Sequence, residues 1–326
     1  MTRAELDWRP RASLEHLRLR AELLARTRQF FAERKILEVD TPQLVNHAVS
    51  DCQLHSAEVR WSGANGPVRY LHTSAEYAMK RLLAAGSGDI YQLCHVFRGE
   101  EFGPLHHSEF MMLEWYRLGF TLAQLMAELD ALLRGLLAAR QLAPTRCLSY
   151  EQVFLDALSC NPLEASDAEL GACAIEHGFD ASLVQRCGRD ERLDLLMGAR
   201  IGPQLGRGGP LFVHRYPASQ AALARLDPAD PRVALRFELY LEGIELANGF
   251  EELAAAGEQR ARFERDQQQR AARGLPVPAV DEFLLAALAS GLPACSGVAV
   301  GMDRLVMLAA GATNLDAITV FAGERA

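Results

Sequence analysis

The chain has 326 residues, 49% of them hydrophobic, which is enough for one large domain or two ordinary ones around a substantial core. A formal net charge of −8 provides no global basic field for nucleic acid, although a local basic patch stays open. Seven cysteines, odd in number and without a CxxC pair, fit reduced thiols in a cytoplasmic protein and argue against a disulfide scaffold or a tight cysteine metal site.

The opening MTRAELDWRPRASLEH is charged and lacks an apolar run, so it does not read as a signal peptide. Residues 14–34 carry Leu14, Leu17, Leu24 and Phe31 at helical spacing between charges, and Ser13 stands where an N-cap belongs. ILEVDTP, residues 36–42, reads as a strand stopped by Pro42. Short strands from Ala57 and from Val68 flank a Gly-Ala-Asn-Gly-Pro turn. Ser74 is placed to cap a helix carrying Glu76, Tyr77 and Lys80. Lys35 and Lys80 are the chain's lysines, all other basic residues being arginine, which hints that Lys80 is kept for a reason.

Residues 90–100 and 108–118 are long strand-like runs joined by the polar loop EFGPLHH. The pattern is mostly helical from Thr121 to about Arg207, strand-like over 235–250 and a charged helix over 251–273. A strand near 297–300 then leads into a helix from Met302. The stretch 283–302 has no charge, but Ser290, Gly291, Pro293, Ser296 and Gly297 divide it into helix, turn and buried strand; a membrane span needs about 20 predominantly apolar residues. Hairpin-like links, blocks of helix and no βαβ alternation predict an α+β fold with a mostly antiparallel sheet, in one domain with a helical insertion at about 121–207.

Three segments carry candidate chemistry. In the first hairpin, alternation puts Phe110, Met112, Glu114 and Tyr116 on one face, with Arg98 and Glu100 at the end of the partner strand. Charges gathered on a buried face need partners, whereas the same residues on a solvent-facing sheet are ordinary weak ion pairs, and the pattern permits both. The second segment is GIELANGFEE, residues 243–252. Glu245 and Glu252 are an odd number apart, so a straight strand puts them on opposite faces, and a bend at Asn248-Gly249 is needed to unite them. United, they suit Mg²⁺; otherwise they are an edge-strand and a surface-helix carboxylate. The third is CSGVAVGMDRL, residues 295–305, where Asp303 suits the start of a helix and Arg304 does not, unless Arg304 pairs with a neighbouring carboxylate or an anionic phosphate binds there.

Together the segments resemble the three signature motifs of class II aminoacyl-tRNA synthetases, in order: FFAERKILEVDTP, then FRGEEFGPLHHSEFMMLEWY, then GVAVGMDRL. TSAEYAMKRLL, MLEWYR and GIELANGFEEL resemble the lysyl type. Lysyl synthetases carry an N-terminal OB-fold anticodon domain, for which a first helix near residue 13 leaves no room. That layout is similar to the truncated members that ligate (R)-β-lysine to a lysine of translation elongation factor P.

The resemblance implies an ATP-dependent, AMP-forming ligase with the class II catalytic fold, using ATP and Mg²⁺. It implies Arg98 on the α-phosphate and substrate carboxylate, Glu100 on the adenine amino group, Phe110 stacked on adenine and Arg304 on the γ-phosphate. His106, His107, Leu246 and Gly301 complete the implied nucleotide set. Glu245 and Glu252 would hold the metal. Ser74, Ala75, Glu76, Glu114, Tyr116, Glu252 and Ala299 would line an acidic pocket for a substrate with two ammonium groups, lysine or (R)-β-lysine. The implied partners are elongation factor P and a second copy of the chain through motif 1, without tRNA or membrane. Two departures stand out. His107-Ser108 replaces the family's frequent Asn-Pro, which puts the nucleotide contact from position 107 in doubt. Ala299 replaces a glycine, a methyl-scale change that discriminates substrates by about 1–3 kcal/mol. A tRNA-charging enzyme and a catalytically dead regulatory paralogue share the pattern and remain as alternatives. The helix over 259–273, with five arginines against Glu264 and Asp266, reads either as an acceptor-docking face or as a solvated helix.

Overall fold

The computed structural model describes residues 8–60, 66–99 and 101–321. Its strands, in chain order, are β1 (Leu37–Glu38), β2 (Leu44–Val45), β3 (Glu58–Arg60), β4 (Val68–Leu71), β5 (Ile90–Phe97), β6 (Glu109–Leu118), β7 (Arg146–Ser149), β8 (Leu211–Pro217), β9 (Val233–Leu241), β10 (Ile244–Glu251) and β11 (Cys295–Gly301). The helices are α1 (Leu14–Glu33), α2 (Glu76–Ala84), α3 (Leu122–Leu136), α4 (Tyr150–Leu158), α5 (Asp167–Glu176), α6 (Ala181–Arg186), α7 (Arg189–Leu196), α8 (Ala256–Ala272), α9 (Glu282–Gly291) and α10 (Met302–Ala309). The α+β class expected from the sequence is borne out, with a mixed sheet that is mostly antiparallel.

Two compact units are present, one of residues 1–114, 256–290 and 301–326, the other of 115–255 and 291–300. In the first, β1 runs parallel to β5 with Leu37 opposite Ile90, and β6 follows β5. The β5–β6 hairpin is closed by the Arg98 N–H donating to Ser108 O at 2.8 Å. Strands β2, β4 and β3 form a small antiparallel sheet. Helix α1 starts as the sequence predicts: Ser13 Oγ accepts the His16 N–H at 3.1 Å, and Leu23, Thr27 and Phe31 form the buried stripe.

In the second unit the strand order is β11-β10-β9-β8-β7, antiparallel except for the parallel β7–β8 pair. Tyr150, Phe154, Leu170, Leu193 and Leu196 pack with Val213 and Tyr216, so α4, α5 and α7 cover β8. Reciprocal capping boxes begin α3 (Thr121 with Gln124) and α5 (Ser166 with Glu169).

Three details differ from the sequence pattern. Strand β7 interrupts the block expected to be helical, because Cys147 and Leu148 pair with Phe212 and Val213, a partner too distant in sequence for periodicity to reveal. The run 235–250 is a hairpin, turning at Glu242-Gly243 with φ of +54° and +77°. Positive φ at both central residues is the two-residue turn that matches strand twist, and glycine normally supplies part of it. Helix α8 starts at Ala256, so Glu252 precedes it and is buried. Residues 283–302 are helix α9, a turn and β11, and among the described residues no helix is long and apolar enough to cross a membrane.

Candidate active site

The first unit gathers the hairpin and the segment after β11. Strand β6 is buried over Met112–Tyr116, and Glu114 is only 3% exposed, so the reading of this sheet as solvent-facing is overturned. Burying a carboxylate requires donors. Ser74 Oγ donates to Glu114 Oε2 at 2.7 Å and accepts the Glu76 N–H at 3.0 Å, although the N-cap position of α2 is Ala75 and not Ser74 as the sequence suggested. Ala75, the next residue, is 1% exposed. One turn along α2, Lys80 Nζ donates to Glu76 Oε1 at 2.7 Å with its own side chain only 1% exposed. The chain's second lysine is therefore a buried counter-ion, which fixes one oxygen of Glu76.

Arg98 leaves the end of β5. Its Nε donates to Thr73 O at 3.4 Å, its Nη1 lies 3.6 Å from Glu101 Oε1, and its guanidinium carbon sits 5.2 Å from the Phe110 ring centroid. The guanidinium is thus oriented beside an aromatic face, the arrangement expected for a cation next to a stacked base. Arg304, in the first turn of α10, donates through Nε to Leu105 O at 3.1 Å in the β5–β6 loop. Gly301, the N-cap of α10, makes no side-chain cap hydrogen bond, and a helix N-terminus beside a guanidinium is chemistry that suits an anion. Asp303 is committed elsewhere: it accepts from Arg20 of α1 at 2.5 Å and from the Met111 N–H at 2.9 Å, tying α1, β6 and α10 together. His106, among these cations, has its pKa lowered by burial first and then by Arg304 and Arg98, with Glu101 opposing. His107 Nε2 lies 3.1 Å from Asp316 Oδ1. Glu100 lies outside the described residues.

The second unit carries the paired carboxylates. Register between β10 and β9 slips between Glu245 and Ala247, with Glu245 opposite Tyr240 and Ala247 opposite Leu239. Leu246 is the extra residue of a bulge, and Leu246 and Ala247 are both buried in succession. Asn248-Gly249, where the bend was expected, is regularly paired on both sides. The bulge absorbs one residue, so it reverses parity and returns Glu245 to the face of Asn248, Phe250 and Glu252. Glu252 is 5% exposed. On β11, Ala299 lies opposite Asn248 and Gly297 opposite Phe250. A Cβ on Gly297 would stand 2.3 Å from Tyr116 Cε1 and 2.6 Å from Glu252 Oε1, so the missing side chain is what lets those two groups approach the strand.

Asn248, read from the sequence only as a turn signal, belongs with these residues. Its Oδ1 accepts from Arg236 Nε at 3.2 Å, which assigns the oxygen of the amide and leaves its NH₂ as the donor end. Arg236 also donates to Glu238 Oε1 at 2.6 Å and stacks 4.4 Å from the Tyr216 ring. Burial opposes that cation, but Glu238, Tyr216 and Glu245 outweigh it and raise its pKa. An asparagine in mid-strand, where the type is depleted, is the signal that marks it.

The donor chemistry suits a hard dication. Two carboxylates share a face in the second unit, and among the described residues no group of three or more His, Cys, Asp or Glu could hold a metal unaided. Mg²⁺ is bound in this way, by one or two carboxylates plus substrate phosphates and water. Helix α8 fits a docking face less well. Arg262 and Arg270 are buried, the first paired with Glu258, the second donating to the carbonyls of Asp51 at 2.7 Å and Pro276 at 2.6 Å; Arg260 pairs with Glu282 at 2.9 Å.

Comparison with known proteins adds to this geometry. The family model described as tRNA synthetases class II (D, K and N) matches residues 1–325. The chain is 49% identical over 320 residues to the elongation factor P–(R)-beta-lysine ligase of Vibrio vulnificus, covering 97% of this chain and 98% of that protein. It is 48% identical over 323 residues to the proteins of the same name from Vibrio cholerae, covering 98% and 99%, and from Pectobacterium atrosepticum, covering 98% of each.

Proposed function

We propose, from the premise that this chain belongs to the class II tRNA synthetases of the D, K and N type, that it activates (R)-β-lysine with ATP and transfers it to a lysine of elongation factor P. The observation that carries this reading is the fixing of two arginines on one hairpin, Arg98 at its base and Arg304 on the Leu105 carbonyl of its loop. A rigid guanidinium at each end suits a bent triphosphate. In the first step the amino-acid carboxylate oxygen attacks the α-phosphorus, forming the aminoacyl-adenylate as the bond to pyrophosphate breaks. In the second, the acceptor lysine amine attacks the adenylate carbonyl; the amide forms, a proton leaves the nitrogen and AMP departs. No enzyme nucleophile is required, so catalysis consists of positioning and charge stabilisation.

In this reading Arg98 holds the α-phosphate and carboxylate, and Arg304 the γ-phosphate, with His106, Leu246 and Gly301 around the nucleotide. Phe110 and Glu100 hold adenine. Glu245 and Glu252 hold Mg²⁺, which supplies charge neutralisation for the leaving pyrophosphate. To the amino acid this reading assigns Ser74, Ala75, Glu76 and Glu114 of the first unit, and Tyr116, Glu252, Asn248 and Ala299 of the second. The acidic character of each set answers a substrate with two ammonium groups, and the Ala299 methyl is the element that favours the β-amino isomer. The same reading places the protein in the cytoplasm, as a homodimer using β1, a two-residue strand at the end of the strand order whose Leu37 is 54% exposed.

The test is mass spectrometry of elongation factor P after incubation with the protein, ATP and either (R)-β-lysine or α-lysine, alongside total tRNA as a competing acceptor. Modified factor, with the β-isomer preferred, is the expected result. Labelled tRNA with unmodified factor would reverse the reading.

A further inference from the structure

The loop between β5 and β6 is anchored from one direction. The Leu315 N–H donates to Pro104 O at 2.8 Å, and His107 Nε2 meets Asp316 Oδ1 at 3.1 Å. Both partners lie in the 3₁₀ turn Leu315–Ala317, which the Asn314 side chain caps by accepting the Ala317 N–H at 3.0 Å. That turn is itself held by the N-terminal segment: Arg11 pairs with Asp316, and His16 Nδ1 lies 2.8 Å from Ala317 O. The anchored residues 104 and 107 bracket Leu105, whose carbonyl accepts from Arg304 Nε. A carbonyl positions a guanidinium only as well as its own backbone is positioned.

We infer that His107 and Asp316 are a positioning pair, which fixes the Leu105 carbonyl and through it the Arg304 guanidinium that receives the distal phosphate. This rests on the ATP role proposed above for Arg304. His107 occupies the place where the family frequently has asparagine, and here its ring nitrogen reaches the C-terminal turn. The His107 side chain is 18% exposed and that of Asp316 40%, so the pair adds little to global stability. Its effect is local and falls on nucleotide binding.

The experiment measures ATP affinity by calorimetry and ATP–pyrophosphate exchange for the whole chain and for His107→Ala, Asp316→Asn and the double variant, with His107→Gln as the conservative control. Each single change raises the ATP Kd and KM by roughly two- to five-fold, the size of one partly exposed ion pair. The double variant is no worse than Asp316→Asn alone, because that change already removes the contact to His107 along with the one to Arg11. His107→Gln, which retains a donor, recovers most of the affinity. The amino-acid KM and the melting temperature stay near those of the parent. Unchanged ATP affinity, additive losses, or an equal rise in the amino-acid KM would overturn the pair's role. A parent protein that binds ATP but shows no amino-acid-dependent exchange would refute the activation reading instead, while the calorimetry still decides the inference.

Discussion

At the scale of single residues, burial obliges several acidic side chains to take structural partners. Glu114 and Glu76 are held by Ser74 and Lys80, and Asp303 by Arg20 and the Met111 amide. Removing one member of such a buried contact leaves an uncompensated charge, so these contacts fix the positions of the carboxylates. Gly297 is the sharpest steric case. Its Cβ position is occupied by the Tyr116 ring and the Glu252 carboxylate, one closed in by the core, the other proposed to hold metal. Gly297→Ala is expected to destabilise the protein by about 1–3 kcal/mol through overpacking, and to displace Glu252. Thermal melts and the Mg²⁺ dependence of exchange check this together. A variant with parental melting temperature and parental Mg²⁺ demand would show that Tyr116 and Glu252 yield freely.

At the scale of elements, the β10 bulge decides which carboxylates can act together. Deleting Leu246 restores strict alternation, and a one-residue change in register moves a strand's side chains to the other face. The deletion is expected to separate Glu245 from Glu252 and abolish exchange while β10 remains paired with β9; retained exchange would mean that parity is irrelevant. The same element shows how far the sequence could be read. Residues in local patterns were legible: the Ser13 cap, the α1 stripe, the two strands of the hairpin bearing Arg98 and Phe110, and the passage from β11 into α10. The bulge was expected at Asn248-Gly249, the usual turn dipeptide, yet it sits at Leu246, where a buried leucine gives no local sign of it. Strand β7 was hidden for a related reason, since it depends on what the folded chain places opposite it, whereas the Lys80–Glu76 pair has the local i,i+4 spacing of a helix and only its burial was out of view. Asn248 was visible but misassigned, because asparagine before glycine signals a turn unless strands on both sides claim it.

At the scale of the whole molecule, three histidines set a pH dependence: His72 is buried, His214 half-buried and His106 more open to solvent. His72, His106 and His214 all have pKa values lowered from 6.5, with burial the leading cause in each. Lowered values mean that the folded state holds these rings neutral while the unfolded chain takes up protons near 6.5. The stability they contribute is complete above that value and declines as pH falls through it toward their folded pKa values. Asp266 works the other way, since burial raises its carboxyl from 3.8, but it begins from a lower pH. Melting temperature is therefore expected to fall as the buffer is taken from about pH 7.5 to about pH 5.5, the range in which histidine charge changes. His106→Gln should flatten part of that fall, and a melting temperature that holds steady or rises over the range would contradict the account. His106 differs from the other two because Arg304 and Arg98 add to its depression. A bound triphosphate would offset those cations, so saturating ATP should shrink the His106 share of the slope and leave the His72 and His214 shares intact.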